Sequence, residues 1–169
     1  TGDRFGMATL SIRREQFRLA QVFTISRGSR THAEVVVVEI TDGGHRRRGA
    51  CVPYSRYGES VDSVVAQIEG VTAAVVAGAD RMAIQSLLPA GAARNAVDCA
   101  FWDLEAKRAG QPAWRLAGLE RAPGPLTTAY TLSLDTPETM GQAAAANSPR
   151  PLLKIKLTGE GDLARAEAI

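Results

Sequence analysis

The chain has 169 residues, of which 45% are hydrophobic and 22% charged, with a formal net charge of +2 at neutral pH. That length holds one domain, or one domain and part of a second, and the composition excludes a disordered or fibrous chain. A charge so close to balance leaves no electrostatic footprint for nucleic acid, and the apolar runs are too short for a membrane-spanning helix.

Cys51 and Cys99 are expected as small buried hydrophobes in a reducing, cytoplasmic setting. Two cysteines without a Cys-x-x-Cys make no disulfide framework. His32 and His45 are too few for a histidine-rich zinc site. The first residues carry no secretory apolar core, and Met7 reads as the start, with Thr1 to Gly6 upstream of it.

From about Ala8 to Val52 the chain reads as β. Leu10 to Ile25 suits a bent strand or a hairpin arm. Ser26-Arg27-Gly28-Ser29-Arg30-Thr31 follows as a polar loop, a kind of segment that often binds ligands. Ala33 to Ile40 holds the run Val35-Val36-Val37-Val38 and suits a central, covered strand. Thr41-Asp42-Gly43-Gly44 supplies turn chemistry, and Arg47 to Val52 returns antiparallel. Arg46-Arg47-Arg48 beside it reads as a solvated turn, because no aromatic residue interleaves with it as single-strand binding requires.

Helices follow. Val61, Val64, Val65, Ile68, Val71 and Val75 form an apolar stripe, with Ser60 as N-cap and Gly78 as stop. Asp80 caps a short helix burying Ile84, Leu87 and Leu88. A third helix runs from about Ala92 to Arg108, buries Val97, Ala100, Phe101 and Leu104, and ends at Gly110 and Pro112. These stripes read as core. Arg121-Ala122-Pro123-Gly124-Pro125 punctuates the chain and is the expected domain boundary.

Beyond it the pattern alternates between strand and helix. Leu126 to Leu134 is strand-like. Asp135 or Thr136 caps a helix that starts with Pro137 and runs to Ala146. Pro151-Leu152-Leu153-Lys154-Ile155-Lys156-Leu157 reads as one buried strand, and Asp162 caps a last helix through Leu163 and Ala166. Alternating β and α implies a parallel sheet or barrel, and two such units do not close a barrel of eight strands. Ile169 is therefore not expected to end the folded unit.

The lysine strand carries chemistry. Alternation sets Lys154 and Lys156 on the face opposite Leu153, Ile155 and Leu157, with Cα atoms roughly 7 Å apart. Unpaired lysines are almost never buried. Taken alone, the motif describes an edge strand with a wet face.

Together, four features resemble the enolase superfamily, in particular the dipeptide epimerases of its muconate-lactonizing-like branch. They are the loop Ile25-Ser26-Arg27-Gly28-Ser29-Arg30, the segment Cys51-Val52-Pro53-Tyr54-Ser55-Arg56-Tyr57-Gly58-Glu59-Ser60, the helix segment from Pro89 to Leu104, and Thr128-Ala129-Tyr130-Thr131 with the Lys-x-Lys strand. The resemblance implies an α+β capping domain over residues 7–122 and the start of a modified TIM (β/α) barrel over 126–169. It also implies abstraction of a proton α to a carboxylate, with Mg²⁺ stabilising the enediolate.

In that scheme Lys156 is the acid/base on one face of the substrate, and its pKa is expected to fall through burial, a metal ion and the like charge of Lys154. Lys154 stabilises the substrate carboxylate. Thr131 binds substrate, and Arg30 takes the glutamate carboxylate of the dipeptide, as a guanidinium can do bidentately. Arg27 and Tyr57 are further substrate-binding positions, and Tyr54 is read as packing. The Mg²⁺ ligands and an opposing lysine are expected beyond Ile169, since Glu160 and Asp162 are too local to build an oxygen cage.

The resemblance thus points to a cytoplasmic isomerase acting on small dipeptides of the Ala-Glu type, a homo-oligomer with no nucleic-acid or membrane partner. This segment alone is expected to be inactive. A cycloisomerase, an o-succinylbenzoate synthase, an N-acylamino acid racemase, and a non-catalytic cap-only binding or oligomerisation module remain open beside it.

Overall fold

The structure is a computed structural model that describes residues 8–43 and 45–169. Met7, Gly44 of the predicted turn and the His45 side chain lie outside what it describes. The chain forms two compact units. The first holds the described residues up to Phe17 together with Glu34–Pro123, and the second holds Arg18–Ala33 with Gly124–Ile169.

β1 (Thr9–Ile25), β2 (Gly28–Asp42) and β3 (His45–Cys51) make a sheet in the order β1-β2-β3, with the β1–β2 hairpin end counted in the second unit. β2 is central, as its valine run predicts. It pairs antiparallel with β3, from Val36 opposite Cys51 to Asp42 opposite His45. Period-two alternation puts Val36, Val38 and Ile40 on one face, where all three are fully buried. Opposite Val38 stands Gly49, and α3 (Ala92–Arg108) lies directly on it. A Cβ there would fall 2.6 Å from the Ala100 nitrogen and collide with the Ala96 carbonyl oxygen. Buried Ala93, Ala96 and Ala100 leave room for this approach of helix backbone to strand.

α1 (Val61–Val76) and α2 (Arg81–Leu87) complete the core, followed by the one-turn α4 (Ala113–Leu116). Local chemistry starts each of the first two. Ser60 and Ser63 form a reciprocal capping box at α1, and Asp80 accepts the Ala83 N–H at 2.8 Å at α2. The α1 stripe is buried as expected from Val64 to Val75.

Three expectations fail here, all through side-chain direction. Leu87 is 48% exposed, because Ile84 and Leu88, four residues apart, take the buried face. Cys99 is exposed, falling off the Ala96–Val97–Ala100 face, while Cys51 is buried. Arg46-Arg47-Arg48 is not a solvated turn: it lies on β3, the return strand expected from Arg47 onward. Alternation aims Arg47 at the helix side opposite Ile40, where it is buried and donates to the Arg46 carbonyl at 2.9 Å.

The second unit pairs β4 (Tyr130–Thr131) with β5 (Leu153–Lys154) in parallel, with α5 (Pro137–Ala146) between them in sequence and α6 (Asp162–Glu167) after. Thr136 caps α5 and Pro137 opens it, as read from sequence. Leu132, Met140 and Ala144 are its buried apolar residues.

Both predicted strands are much shorter than expected. Leu126–Leu134 reduces to Tyr130–Thr131 and Pro151–Leu157 to Leu153–Lys154, because a ladder forms only where the two face each other. Nor is the lysine strand buried. With one neighbouring strand, Lys154 stays exposed and Leu153, Ile155 and Lys156 are half-buried. Asp162 does not cap α6, whose N-cap is Gly161. Its carboxylate accepts the Thr158 and Gly159 N–H groups, at 3.0 and 2.6 Å, and pairs with Arg165.

Candidate active site

The arginine-bearing segment is a tight hairpin rather than a six-residue loop. Ser26 and Arg27 make the turn, and Gly28, at φ +133°, opens β2. A link this short joins strands only in antiparallel fashion. Arg30 therefore sits on β2 and Arg27 in the turn, both exposed. The polar side chains hide this strand from sequence reading because neither face is covered.

The outer end of β1 is held within the second unit. The Thr24 N–H donates to Ser133 Oγ at 2.8 Å, and the Leu134 N–H donates to the Thr24 carbonyl at 3.0 Å. The Thr24 and Ser29 hydroxyls meet at 2.8 Å across the hairpin. The arms carrying Arg27 and Arg30 are thus bonded just past the C-terminal end of β4.

Thr131 is the register partner of Lys154, so their side chains leave the parallel pair on the same side. The ladder continues through Tyr130 N–H to the Leu152 carbonyl and Leu132 N–H to the Lys154 carbonyl, at 2.9 and 2.8 Å. Leu132 points the other way, into the unit's core. Lys156 follows two residues after Lys154, past the last paired residue. An amine, a hydroxyl and a guanidinium hairpin in one unit can hold a carboxylate and exchange a proton beside it. Sequence singled out each of these residues but missed Ser133. Its signal, a hydroxyl two residues past Thr131 in a segment of strand composition, is ordinary.

Tyr57 lies in the first unit, in a one-turn 3-10 segment over Ser55–Tyr57 closed by Gly58 at φ +73°. Tyr57 is 75% exposed, and its ring stands 5.8 Å from that of half-buried Tyr54. The segment is fastened by Glu59, which sequence reading also missed. One Glu59 oxygen accepts the Tyr54 N–H at 3.0 Å and the other accepts the Ala92 N–H at 2.7 Å. α3 begins at Gly91, which has no side chain to cap with, so a carboxylate from far along the chain does so. Nearby, burial and then the Glu59 charge push the Cys51 thiol up to about 11, which keeps it protonated and unreactive at neutral pH.

Among the described residues, no group of three or more His, Cys, Asp or Glu side chains could hold a metal ion. Asp162 is engaged by loop N–H groups and Arg165, which fits no cage. The described side chains therefore do not by themselves make up a magnesium site.

Residues 7–118 match the family described as mandelate racemase / muconate lactonizing enzyme, N-terminal domain. The chain is 44% identical over 153 residues to the L-Ala-D/L-Glu epimerase of Escherichia coli (strain K12), a match covering 89% of this chain and 47% of that protein. It superimposes with a TM-score of 0.91 on an enolase family member from Agrobacterium tumefaciens with homology to dipeptide epimerases, solved with sodium and L-Ala-L-Glu. That match has 50% identity and covers 95% of this chain and 49% of that one. A dipeptide epimerase from Enterococcus faecalis V583, complexed with Mg and L-Leu-L-Tyr, matches at 30% identity with a TM-score of 0.83, over 95% of this chain and 49% of that one. The chain spans about half the length of the curated relatives it matches.

Proposed function

We propose a function from the premise that this chain belongs to the mandelate racemase / muconate lactonizing enzyme family: it is the N-terminal part of a dipeptide epimerase that inverts the α-carbon of an Ala-Glu type substrate. β4, α5 and β5 would begin the barrel of that enzyme. The observation that carries the reading is the register pairing of Thr131 with Lys154, on a strand whose end bonds the Arg30 hairpin.

In the proposed reaction the neutral Lys156 amine removes the α-proton of the C-terminal residue. A C–H bond breaks, an N–H bond forms, and the electron pair moves into the adjoining carboxylate as an enediolate. The Lys154 ammonium offsets that charge, Thr131 donates a hydrogen bond to the substrate, and Arg30 holds the glutamate side-chain carboxylate. Arg27, in the turn of the same hairpin, flanks the dipeptide. A second base returns a proton on the opposite face. The Mg named with the Enterococcus relative has no ligand set among the described residues, so the chemistry assigned to this chain rests on its cations and hydroxyls.

The test is Lys156→Ala in the complete enzyme, with both epimers followed by NMR in D₂O. Epimerisation should be abolished in both directions. Solvent-deuterium exchange should survive only for the epimer whose α-proton faces the other base. Retained epimerisation, or loss of exchange without stereochemical preference while substrate still binds, rejects Lys156 as a one-face base.

A further inference from the structure

We propose that the Ser133 hydroxyl is a positioning group that fixes the Arg30 hairpin and so sets the preference for an acidic second residue. This rests on reading Arg30 as the group that binds the glutamate carboxylate.

β1 is an edge strand, on which alternate residues turn N–H and C=O away from β2, and Thr24 is one whose groups need partners outside the sheet. Both find them at neighbouring residues. Ser133 Oγ accepts the N–H at 2.8 Å and the Leu134 N–H reaches the carbonyl at 3.0 Å. One bond would leave the arm free to pivot; two bonds at a single residue fix its rotation. Ser133 Oγ also lies 3.4 Å from the Val22 carbonyl, toward which it can donate.

From Thr24 the constraint crosses the hairpin through the 2.8 Å contact of its hydroxyl with Ser29, the residue before Arg30. The path from strand to guanidinium is therefore Ser133, Thr24, Ser29, Arg30. Ser133 follows two residues after Thr131, just past the end of β4, so the hydroxyl and the proposed substrate-binding threonine are close in the chain. An arm ordered before the substrate arrives spares binding the entropic cost of ordering it, and this matters only for a ligand that engages the arm. The hydroxyl should then tune affinity for a dipeptide with an acidic second residue and leave one with an apolar second residue alone.

The experiment uses the complete enzyme with L-Ala-L-Glu and L-Ala-L-Val as probes. Ser133→Ala should raise KM for L-Ala-L-Glu roughly 3- to 10-fold, the worth of about one hydrogen bond. It should leave kcat within about twofold and KM for L-Ala-L-Val unchanged, as a positioning effect requires. Ser133→Thr, which keeps the hydroxyl, should restore the parent KM. Hydrogen exchange at the Thr24 amide should accelerate in the alanine variant and recover in the threonine one. Ser29→Ala, which cuts the path downstream, should shift KM in the same direction.

In an Arg30→Ala background the Ser133 effect should vanish, since the two act as one unit. If Arg30→Ala removes the acidic preference while Ser133→Ala keeps it, or if the two effects add, the positioning role is wrong and the Arg30 reading stands. If Arg30→Ala leaves the preference intact, the carboxylate reading fails and the proposal falls with it.

Discussion

The two units differ in how their apolar residues are used. In the first, Val36, Val38, Ile40, Ile68 and Val97 are fully buried in one continuous core, and strand backbone meets helix backbone at Gly49. In the second, Leu132 and Met140 are buried, while Leu126, Leu157 and Leu163 are 90%, 47% and 73% exposed. The proposed reacting side chains, Lys154 and Lys156, and the hairpin arginines belong to the second unit. The first unit thus holds the larger packed core, and in the second a small core is supplemented by the named hydrogen bonds that fix the hairpin. Steric insults should therefore be felt most in the first unit, and lost polar contacts should act locally.

A paired glycine test probes that contrast most strongly. Gly49→Ala drives a methyl group into the Ala96 carbonyl and the Ala100 nitrogen, both backbone atoms of a long helix that cannot step aside. The cost should reach about 3 kcal/mol or more, the upper range for overpacking. Gly141→Ala places its Cβ 2.7 Å from one backbone atom, the Ala168 carbonyl oxygen at the C-cap of the six-residue α6, a smaller overlap than the two helix-interior atoms at Gly49. Alanine also gains about 1 kcal/mol over glycine inside a helix, so this variant should stay within about 1 kcal/mol of the parent. Both tryptophans, Trp102 in α3 and Trp114 in α4, lie in the first unit. Tryptophan fluorescence in a urea titration should fall to a lower midpoint for Gly49→Ala and hold for Gly141→Ala. Equal shifts would end the distinction between the units.

A smaller effect tests whether polar fastening in the first unit is local. Glu59→Gln keeps one oxygen acceptor and turns the other position into a donor that faces a backbone N–H. One of the two bonds, to Tyr54 or to Ala92, is lost, at a cost of roughly 1–3 kcal/mol for a part-buried donor left unpaired. Amide exchange at Tyr54 and Ala92 should speed up, with protection in the middle of α1 unchanged. If α1 loses protection equally, Glu59 supports the whole unit and the contact is not a local fastening.

How far the sequence revealed this architecture follows from the range of each signal. α1, α3 and α5 were legible almost to the residue because their determinants are local: Ser60 and Ser63 at one start, Thr136 and Pro137 at another, and apolar stripes between. The central place of β2 was legible from its valine run. The length of β4 and β5 was not, since Leu126–Leu134 has strand composition and extends only as far as a partner faces it. Residues 28–31 were read as loop because a hairpin with no buried face shows no period of two. Arg47 was misread because three consecutive arginines look solvated until alternation turns the middle one inward. Within the candidate site, the motifs that carry the family resemblance singled out Lys154, Lys156, Thr131 and Arg30 for the proposal. Glu59 and Ser133 stayed hidden, because their partners lie 33 and 109 residues away and only the folded chain brings them together.

The mildest test separates the two units by pH. In the first unit, a hydrogen bond from Arg46 holds the Glu39 carboxyl below the usual carboxylate range against its burial. Burial likewise pushes Asp103 up, but its hydrogen bonds from Lys107 and the Arg48 N–H outweigh that and leave it lowered. A carboxylate whose folded pKa is depressed stabilises the fold fully above its unfolded value, about 3.9 for Asp and 4.3 for Glu. That contribution disappears as pH falls through the folded value. The fluorescence-detected melting temperature should therefore be flat from about pH 5 upward and decline below about pH 4. The Glu39–Arg46 pair is anchored on a buried acid, but its guanidinium is 64% exposed, so salt screens part of the interaction. Glu39→Gln should make the acid limb shallower, and 0.5 M NaCl should shrink the difference between parent and variant. Asp162 is also lowered, first by the Thr158 N–H, but it is fixed within the second unit. Asp162→Asn should then leave the tryptophan-reported acid limb unchanged, and an equal flattening by both variants would show that acid acts on the chain as a whole.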